Sequence, residues 1–416
     1  MIQEFKAAGY EIVSFDEKAD IYIINTCTVT NMSDRKSRQA LRQAKKMNQD
    51  AIVVAVGCYV QVAEEELKNI PEIDLVIGTN KKTNIINVVE NYINEKEILV
   101  EDTIDDVMQN KKFGDFGSVT FTEKTIAVIK VQDGCDRFCS YCIIPYARGR
   151  VRSRNPESII KEIKDISKNG IKEVVITGIH VASYGKDFEN DYKLINLLEE
   201  INKIDGIERI RLGSIEPLLL TEEFLNRLVA LEKMCHHFHL SLQSGCTETL
   251  KRMNRRYTIE EFIEITKRIR KVYNDAILTT DIIVGFPGET DEEFDTTYKN
   301  LKEINFYKMH IFKFSPRRGT KAENMPNQIS GDIKEKRSKV LLELSDENEI
   351  TYQKSYLGKK VEVLFEEKDG EFFKGHTENY IMVKAKSKED LSNKIVEAEI
   401  KQVDEKTLEM VGDVII

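Results

Sequence analysis

Cys135-Asp136-Arg137-Phe138-Cys139-Ser140-Tyr141-Cys142 places three thiols at C-x3-C-x2-C spacing, directly after an apolar run, Thr125–Val131, that reads as a β-strand. Three thiolates this close can hold three irons of a [4Fe–4S] cluster. The fourth iron is then left open, the kind of position at which a substrate can coordinate. The competing reading is zinc, which usually takes four ligands; no fourth Cys or His lies nearby in sequence. Outward from the triplet, strand and helix patterns alternate. Further candidate strands are Lys172–Thr177, Glu208–Leu212, His237–Leu242, Ala276–Val284 and Tyr307–Phe314. Helical patterns follow most of them, at Pro156–Lys168, Thr221–Glu232, Ile259–Val272 and Asp291–Ile304. This succession predicts a partial (β/α)6 barrel with its site at the C-terminal ends of the strands, by analogy with full eight-unit barrels. Lys334–Tyr356 reads as a long helix leaving it.

Ahead of the barrel, short runs rich in Ile and Val at Tyr10–Phe15, Ile21–Asn25, Ala51–Val56 and Asp74–Ile77 alternate with helical patterns at Ser33–Met47 and Val62–Asn69. That predicts an α/β domain of parallel βαβ units. Cys27 and Cys58 each lie just beyond the C-terminal end of a predicted strand, where ligands of open α/β sheets collect. Two unrelated buried thiols fit the same pattern, because free cysteine packs as a small apolar residue. Residues 101–117 lose the alternation and read as a linker. After the barrel, Val361–Phe365, Glu371–Gly375, Tyr380–Lys384, Ile395–Ile400 and Thr407–Val411 predict a small closed β-barrel resembling an OB-fold. The predicted divisions are residues 1–105, a linker 106–120, a barrel 121–350 and a terminal β domain 351–416.

With an aromatic, Tyr141, before its last cysteine, the triplet resembles the radical S-adenosylmethionine superfamily. The resemblance implies that Cys135, Cys139 and Cys142 hold a [4Fe–4S] cluster whose open iron binds S-adenosylmethionine. One-electron reduction then yields a 5′-deoxyadenosyl radical, chemistry that polar side chains alone do not supply. It also implies cofactor contacts at Tyr141 and at the strand ends Gly178, Ser214, Glu216, Gln243 and Gly285. Further motifs are Asn25-Thr-Cys-Thr-Val-Thr30, Gly57-Cys-Tyr-Val-Gln61, Ser214-Ile-Glu-Pro217, His239-Leu-Ser-Leu-Gln-Ser-Gly-Cys246 and Phe314-Ser-Pro-Arg-Arg-Gly-Thr320. Together with the terminal β domain they resemble the methylthiotransferases, over nearly the whole chain. That family has a flavodoxin-like N-terminal cluster domain, a radical barrel and a C-terminal TRAM domain. The motif details are similar to the branch that adds a methylthio group at C2 of N6-threonylcarbamoyladenosine, position 37 in the anticodon loop of transfer RNA; the isopentenyladenosine branch is the alternative. The resemblance implies a second [4Fe–4S] cluster at Cys27 and Cys58 that supplies sulfur, and a flavodoxin or ferredoxin as electron donor. The family's first domain uses three cysteines and this chain has two there. The third would follow a strand ahead of the helix matching Met1–Ala8. The expectation is a true start upstream, or an inactive truncated iron–sulfur or RNA-binding product.

Composition sets limits. Among 416 residues the net charge is −9, with seven cysteines and no Trp. No apolar run reaches the roughly 18 residues of a membrane helix, and Met1–Tyr10 lacks a signal-peptide pattern, so a cytoplasmic protein is expected. An odd thiol count without an export signal argues against a disulfide scaffold. RNA contact must therefore be local. Residues 137–154 carry a net +5, and Arg148, Arg150, Arg152 and Arg154 are expected to grip phosphates, since the guanidinium fork suits that geometry. Ser33–Met47 also carries +5, which a solvated helix face explains equally well. From Thr351 onward the net is −3; Phe372, Phe373 and Tyr380 are base-stacking candidates or core. Cys235 and Cys246 lack partner spacing and read as structural. The histidines show no convincing ligand spacing, although His236, His237 and His239 cluster at one strand entry. His180 reads as a packed loop residue.

Overall fold

The computed structural model describes residues 1–95, 103–115 and 125–415. The chain divides into two compact units. One comprises residues 1–119 with 133–152 and 315–324; the other comprises 120–132, 153–314 and 325–416. The cysteine triplet and the Ser-Pro-Arg-Arg-Gly-Thr motif thus group with the N-terminal block, and the terminal β domain groups with the barrel.

In the first unit, α1 (Ile2–Ala7) precedes β1 (Ile21–Thr26), α2 (Asn31–Met47), β2 (Ile52–Gly57), α3 (Cys58–Val62), α4 (Glu64–Lys68), β3 (Leu75–Ile77) and α5 (Ile85–Glu95). The three strands are parallel in the order β1-β2-β3. The central strand β2 is buried along nearly its whole length, which explains its unbroken Ile-Val-Val-Ala-Val run. Helix α2 starts where the Thr30 hydroxyl accepts the Ser33 N–H at 3.1 Å, an N-cap. It lays Leu41 and Ala44 against the sheet residues Tyr22, Ile24, Val53 and Ala55. Two expectations are corrected. Tyr10–Phe15 is not a strand, and Ile12, Val13 and Phe15 are exposed; an apolar run becomes a strand only where a neighbouring edge takes its backbone groups. The described part of the expected linker is packed down: Gly78 N–H donates to Thr103 O at 2.7 Å, the Gln61 amide to Asp105 O at 2.9 Å, and Val107 is buried.

The barrel strands are β4 (Ile126–Asp133), β5 (Arg152–Ser153), β6 (Glu173–Gly178), β7 (Arg209–Leu212), β8 (His237–Gln243), β9 (Ile277–Val284) and β10 (Lys308–Lys313). They are interleaved with α6 (Ile144–Arg148), α7 (Pro156–Lys168), α8 (Leu194–Ile201), α9 (Glu222–Leu228), α10 (Thr247–Arg252), α11 (Ile259–Val272), α12 (Asp291–Ile304) and α13 (Gly331–Lys354). A sheet β5-β4-β6-β7 and a parallel sheet β8-β9-β10 are joined by single parallel bridges, Ile210 to Met234 and Ile215 to Leu240. This is the expected open barrel of six main strands. Period-2 alternation sorts the faces: Phe238, Leu240 and Leu242 of β8 and Leu278, Ile282 and Val284 of β9 pack in one core with Phe262, Ile265 and Ile269 of α11. The intervening residues, His237, His239, Thr279 and Asp281, take the opposite, interior face.

β11 (Lys360–Asp369), β12 (Phe372–Thr377), β13 (Met382–Lys386), β14 (Lys394–Asp404) and β15 (Glu409–Val414) close the predicted five-stranded barrel in the order β11-β12-β13-β15-β14. Gly375 is required there: a Cβ would fall 2.0 Å from Leu364 O. This domain is seated on the larger barrel. Arg209 donates to His376 O and Glu362 O at 3.0 and 3.1 Å. Arg211 forks onto Glu173 at 2.6 and 3.2 Å and donates to Glu378 O at 2.9 Å. Tyr380 stacks on His376 and His237, with ring centroids 4.5 and 4.8 Å apart. Of the expected aromatic trio, Phe373 is core, and Tyr380 already holds stacking partners within the protein.

Candidate functional site

β1 and β2 end in register, Thr26 opposite Gly57, so the next residue on each is a cysteine, Cys27 and Cys58. Two elements separated by 25 residues of helix and loop thus deliver two thiols to one edge of the sheet. Gly57 makes this possible. Its φ of +119° excludes other residues, and a Cβ would lie 2.7 Å from Thr26 O. Cys27 is exposed and Cys58 buried.

The triplet loop follows β4 in sequence and has its own backbone constraints. Gly134 has a φ of +71°, and a Cβ there would overlap Arg150 O at 1.8 Å. Cys135 N–H donates to Gly149 O at 3.0 Å, Cys142 N–H to Cys139 O at 2.9 Å, and Ala322 N–H to Ser140 O at 2.7 Å. The Arg137 amide points at the Cys135 sulfur, 3.4 Å away. Burial pushes the Cys135 thiol up, the Arg137 N–H opposes this, and the Cys139 charge adds to it. Three soft donors within eight residues fit an iron–sulfur cluster.

Three of the four expected arginines do something other than line a phosphate-gripping surface. Arg148 points its Nε at Cys58 Sγ, 3.0 Å away, and its Nη1 lies 3.5 Å from Asp133. Burial pulls this guanidinium's pKa down, but the neighbouring Cys58 and Asp133 charges, with Cys27 beyond, more than offset it. Arg152 is 1% exposed, donates to Arg148 O at 2.8 Å and sits 3.7 Å from Asp133. Arg154 is 4% exposed and ion-paired with Glu162. The expectation of surface phosphate contacts at Arg148, Arg152 and Arg154 is therefore corrected. Of the four, Arg150 is exposed, lying over the Phe138 ring at 5.0 Å. On α2, Arg35, Lys36, Arg42 and Lys46 are exposed as well.

In the sequence Arg317 stands out only as part of the Phe314–Thr320 motif. Its guanidinium is buried and reaches Asp34, Thr28 Oγ1 and Asn31 Oδ1, each at 2.6 Å. It thereby clamps residues 315–324 onto the turn that carries Cys27. The signal was readable only as an arginine in a Pro-Arg-Arg-Gly turn; nothing in sequence pairs it with Asp34, 283 positions away.

In the second unit, the expected strand-end residues meet mixed surroundings. Gly178 would direct a Cβ at Gln132, 2.9–3.0 Å away, so close approach of β4 explains this glycine without a cofactor. Glu216 is buried, 3.0 Å from Arg255 and 3.6 Å from His180. His180 also bonds Ser183 at 2.7 Å, as a packed loop histidine would. Ser214 is exposed, and Gln243 holds a φ of +76° at the end of β8. Gly285, at φ +69°, donates its N–H to Glu289 at 3.0 Å and lies under the Lys334 side chain. Cys235 and Cys246 are buried, and burial pushes the Cys235 thiol up to about 12.

Comparison with known proteins agrees with this anatomy. Residues 129–301 match the Radical SAM superfamily, and residues 1–78 match Uncharacterized protein family UPF0004. The threonylcarbamoyladenosine tRNA methylthiotransferase MtaB of Bacillus subtilis is 39% identical over 96% of this chain and 89% of its own. The tRNA-2-methylthio-N(6)-dimethylallyladenosine synthase of Caldicellulosiruptor saccharolyticus is 36% identical over 95% and 84%. Among solved structures, the radical S-adenosylmethionine methyltransferase TsrM of Kitasatospora setae matches with a TM-score of 0.57 at 18% identity, covering 74% of this chain and 67% of that one. It shares the fold.

Proposed function

The chain belongs to the radical S-adenosylmethionine tRNA methylthiotransferases, and from that premise we propose that it methylthiolates C2 of N6-threonylcarbamoyladenosine at position 37 of transfer RNA. The observation that carries the family chemistry into named residues is the Arg148–Cys58 contact. It joins the loop of Cys135, Cys139 and Cys142 to the strand-end thiols Cys27 and Cys58 within one compact unit. When bound, two [4Fe–4S] clusters and S-adenosylmethionine supply low-potential electron transfer, radical formation and a transferable sulfur. The protein's own part is to place the ligands. Cys135, Cys139 and Cys142 would hold one cluster. Cys27 and Cys58 are this chain's thiols for the other. Arg148 sets a positive charge against the Cys58 sulfur, and Arg317 fixes the turn bearing Cys27.

The exposed cations Arg150, Arg35, Lys36, Arg42 and Lys46 are the phosphate contacts this reading assigns. Electrons come from a flavodoxin or ferredoxin in the cytoplasm; among the described residues no helix is long and apolar enough to cross a membrane. Support for the threonylcarbamoyl base comes from relatives named for it at 39% and 42% identity; a third is 36% identical, level with the dimethylallyl enzymes.

Nucleoside mass spectrometry of a deletion strain tests the substrate: the methylthio form of threonylcarbamoyladenosine should vanish, and loss of the dimethylallyl form instead would overturn the assignment. With purified enzyme, Cys139→Ala should abolish both S-adenosylmethionine cleavage and product. Cys58→Ala should keep cleavage and lose methylthiolation; unchanged product would remove Cys58 from the sulfur-transfer role.

A further inference from the structure

The interior face of the sheet β8-β9-β10 brings together three donors that lie far apart in sequence. His239 is on β8, Asp281 on β9 and His310 on β10. The register sets His310 directly beside Asp281, and His239 beside Thr279, two residues earlier on the same face. One ligand atom from each of the three residues lies within 4.8 Å of the other two. His239 Nε2 is 3.2 Å from Asp281 Oδ2, and the two imidazole centroids are 5.7 Å apart. Bonds of about 2.0–2.2 Å to one ion would draw these atoms closer by roughly an ångström, within reach of small side-chain rotations.

A second observation concerns how His239 is held. Its Nδ1 is 3.0 Å from Thr279 Oγ1, and the same hydroxyl is 2.9 Å from Nε2 of the buried His237. Metal-ligating histidines are characteristically oriented in this way, by a hydrogen bond at the nitrogen that does not bind the ion. If the hydroxyl accepts from Nδ1–H of His239 and donates to His237, Nε2 of His239 carries a lone pair facing the Asp281 carboxylate. Two electron-rich atoms at that distance are held together by a proton or by a metal cation between them. The opposite tautomer gives an ordinary Nε2–H···O bond and no site. Access is open: Asp281 is half-buried and His310 exposed. The neighbouring Lys308 charge is paired with Glu349 at 3.0 Å.

We infer that His239, Asp281 and His310 form a binding site for a divalent first-row transition metal, zinc in the first instance. Two imidazoles and one carboxylate on a single face leave coordination positions for water or for an oxygen donor of a bound molecule. None of the three ligands is a thiol assigned to the clusters.

The test is equilibrium dialysis of the full-length, cluster-reconstituted protein against Zn²⁺ under anaerobic conditions, with zinc and iron counted by mass spectrometry. Wild type should hold one zinc per chain more than His310→Gln and one more than Asp281→Asn, with iron equal in all three. X-ray absorption at the zinc edge should show nitrogen and oxygen neighbours. Equal zinc in wild type and variants, or a zinc shell of sulfur alone, would overturn the site and leave a hydrogen-bonded trio. His310→Gln, at an exposed position, keeps the test valid if Asp281→Asn does not fold.

Discussion

Arg317→Ala should release the segment 315–324 from the turn bearing Cys27, by an amount the structure allows to be worked out. The guanidinium makes three hydrogen bonds of 2.6 Å, one of them to the Asp34 carboxylate. Side-chain exposures are 7% for Arg317 and 12% for Asp34, so solvent screens the pair little. Truncating one partner leaves the other charge buried and uncompensated, which typically costs about 3–5 kcal/mol. At about 1.4 kcal/mol per tenfold, amide hydrogen exchange in peptides spanning 28–37 and 315–324 should accelerate roughly 10²- to 10⁴-fold. Exchange reads local opening and so needs no two-state unfolding of the whole chain. Arg317→Lys, which keeps the charge and loses the fork, should fall between. Removing both charges in Arg317→Met/Asp34→Leu should recover much of the protection, because the desolvation cost disappears with the pair. If Arg317→Ala accelerates exchange equally in wild-type and Asp34→Leu backgrounds, the two groups are not coupled and the clamp is refuted.

Three further outcomes follow from single features. Gly57→Ala places a side chain at φ +119° and 2.7 Å from Thr26 O; it should cost about 1–3 kcal/mol in backbone strain and, by splaying the ends of β1 and β2, lower iron bound by the first domain, both readable by calorimetry and iron counting. In cluster-free protein an alkylating reagent should label exposed Cys27 well before Cys235, whose buried thiol titrates near 12 and so offers little thiolate at neutral pH; early labelling of Cys235 would contradict its packing. His236 lies 2.8 Å from Asp275 and 3.3 Å from Glu378; burial pulls its pKa down, but these carboxylates raise it overall. The resulting stability is fully present below the unfolded value of about 6.5 and is lost as pH rises through the folded value. The melting-temperature advantage of wild type over His236→Asn should thus be largest in mild acid; an advantage that grows with pH would refute it.

Much of the architecture was legible because it rests on local periodicity. The six main barrel strands and the five-stranded terminal barrel follow from apolar runs bounded by turn residues, and most of α2 from the helical pattern at Ser33–Met47. The failures were equally local in origin. Tyr10–Phe15 looks like a strand in composition but takes no place in the sheet. The described part of the linker, 103–115, looked unstructured because its anchors, Gln61 and Gly78, belong to other elements.

The sequence by itself determined which thiols come as a set. The spacing of Cys135, Cys139 and Cys142 is covalent, and the positions of Cys27 and Cys58 after their strands follow from the βαβ pattern. It also determined the family. Only the tertiary structure decided what each charge faces. Arg148, Arg152 and Arg154 read as one basic patch because charges add along a chain. In three dimensions they are directed to Cys58, Asp133 and Glu162, because a buried guanidinium must find partners wherever the fold places them. The same holds for His239, which in sequence groups with His236 and His237. Strand pairing instead sets it opposite Thr279, on one face with Asp281 and His310, since residues on adjacent strands meet through register and not through their separation along the chain.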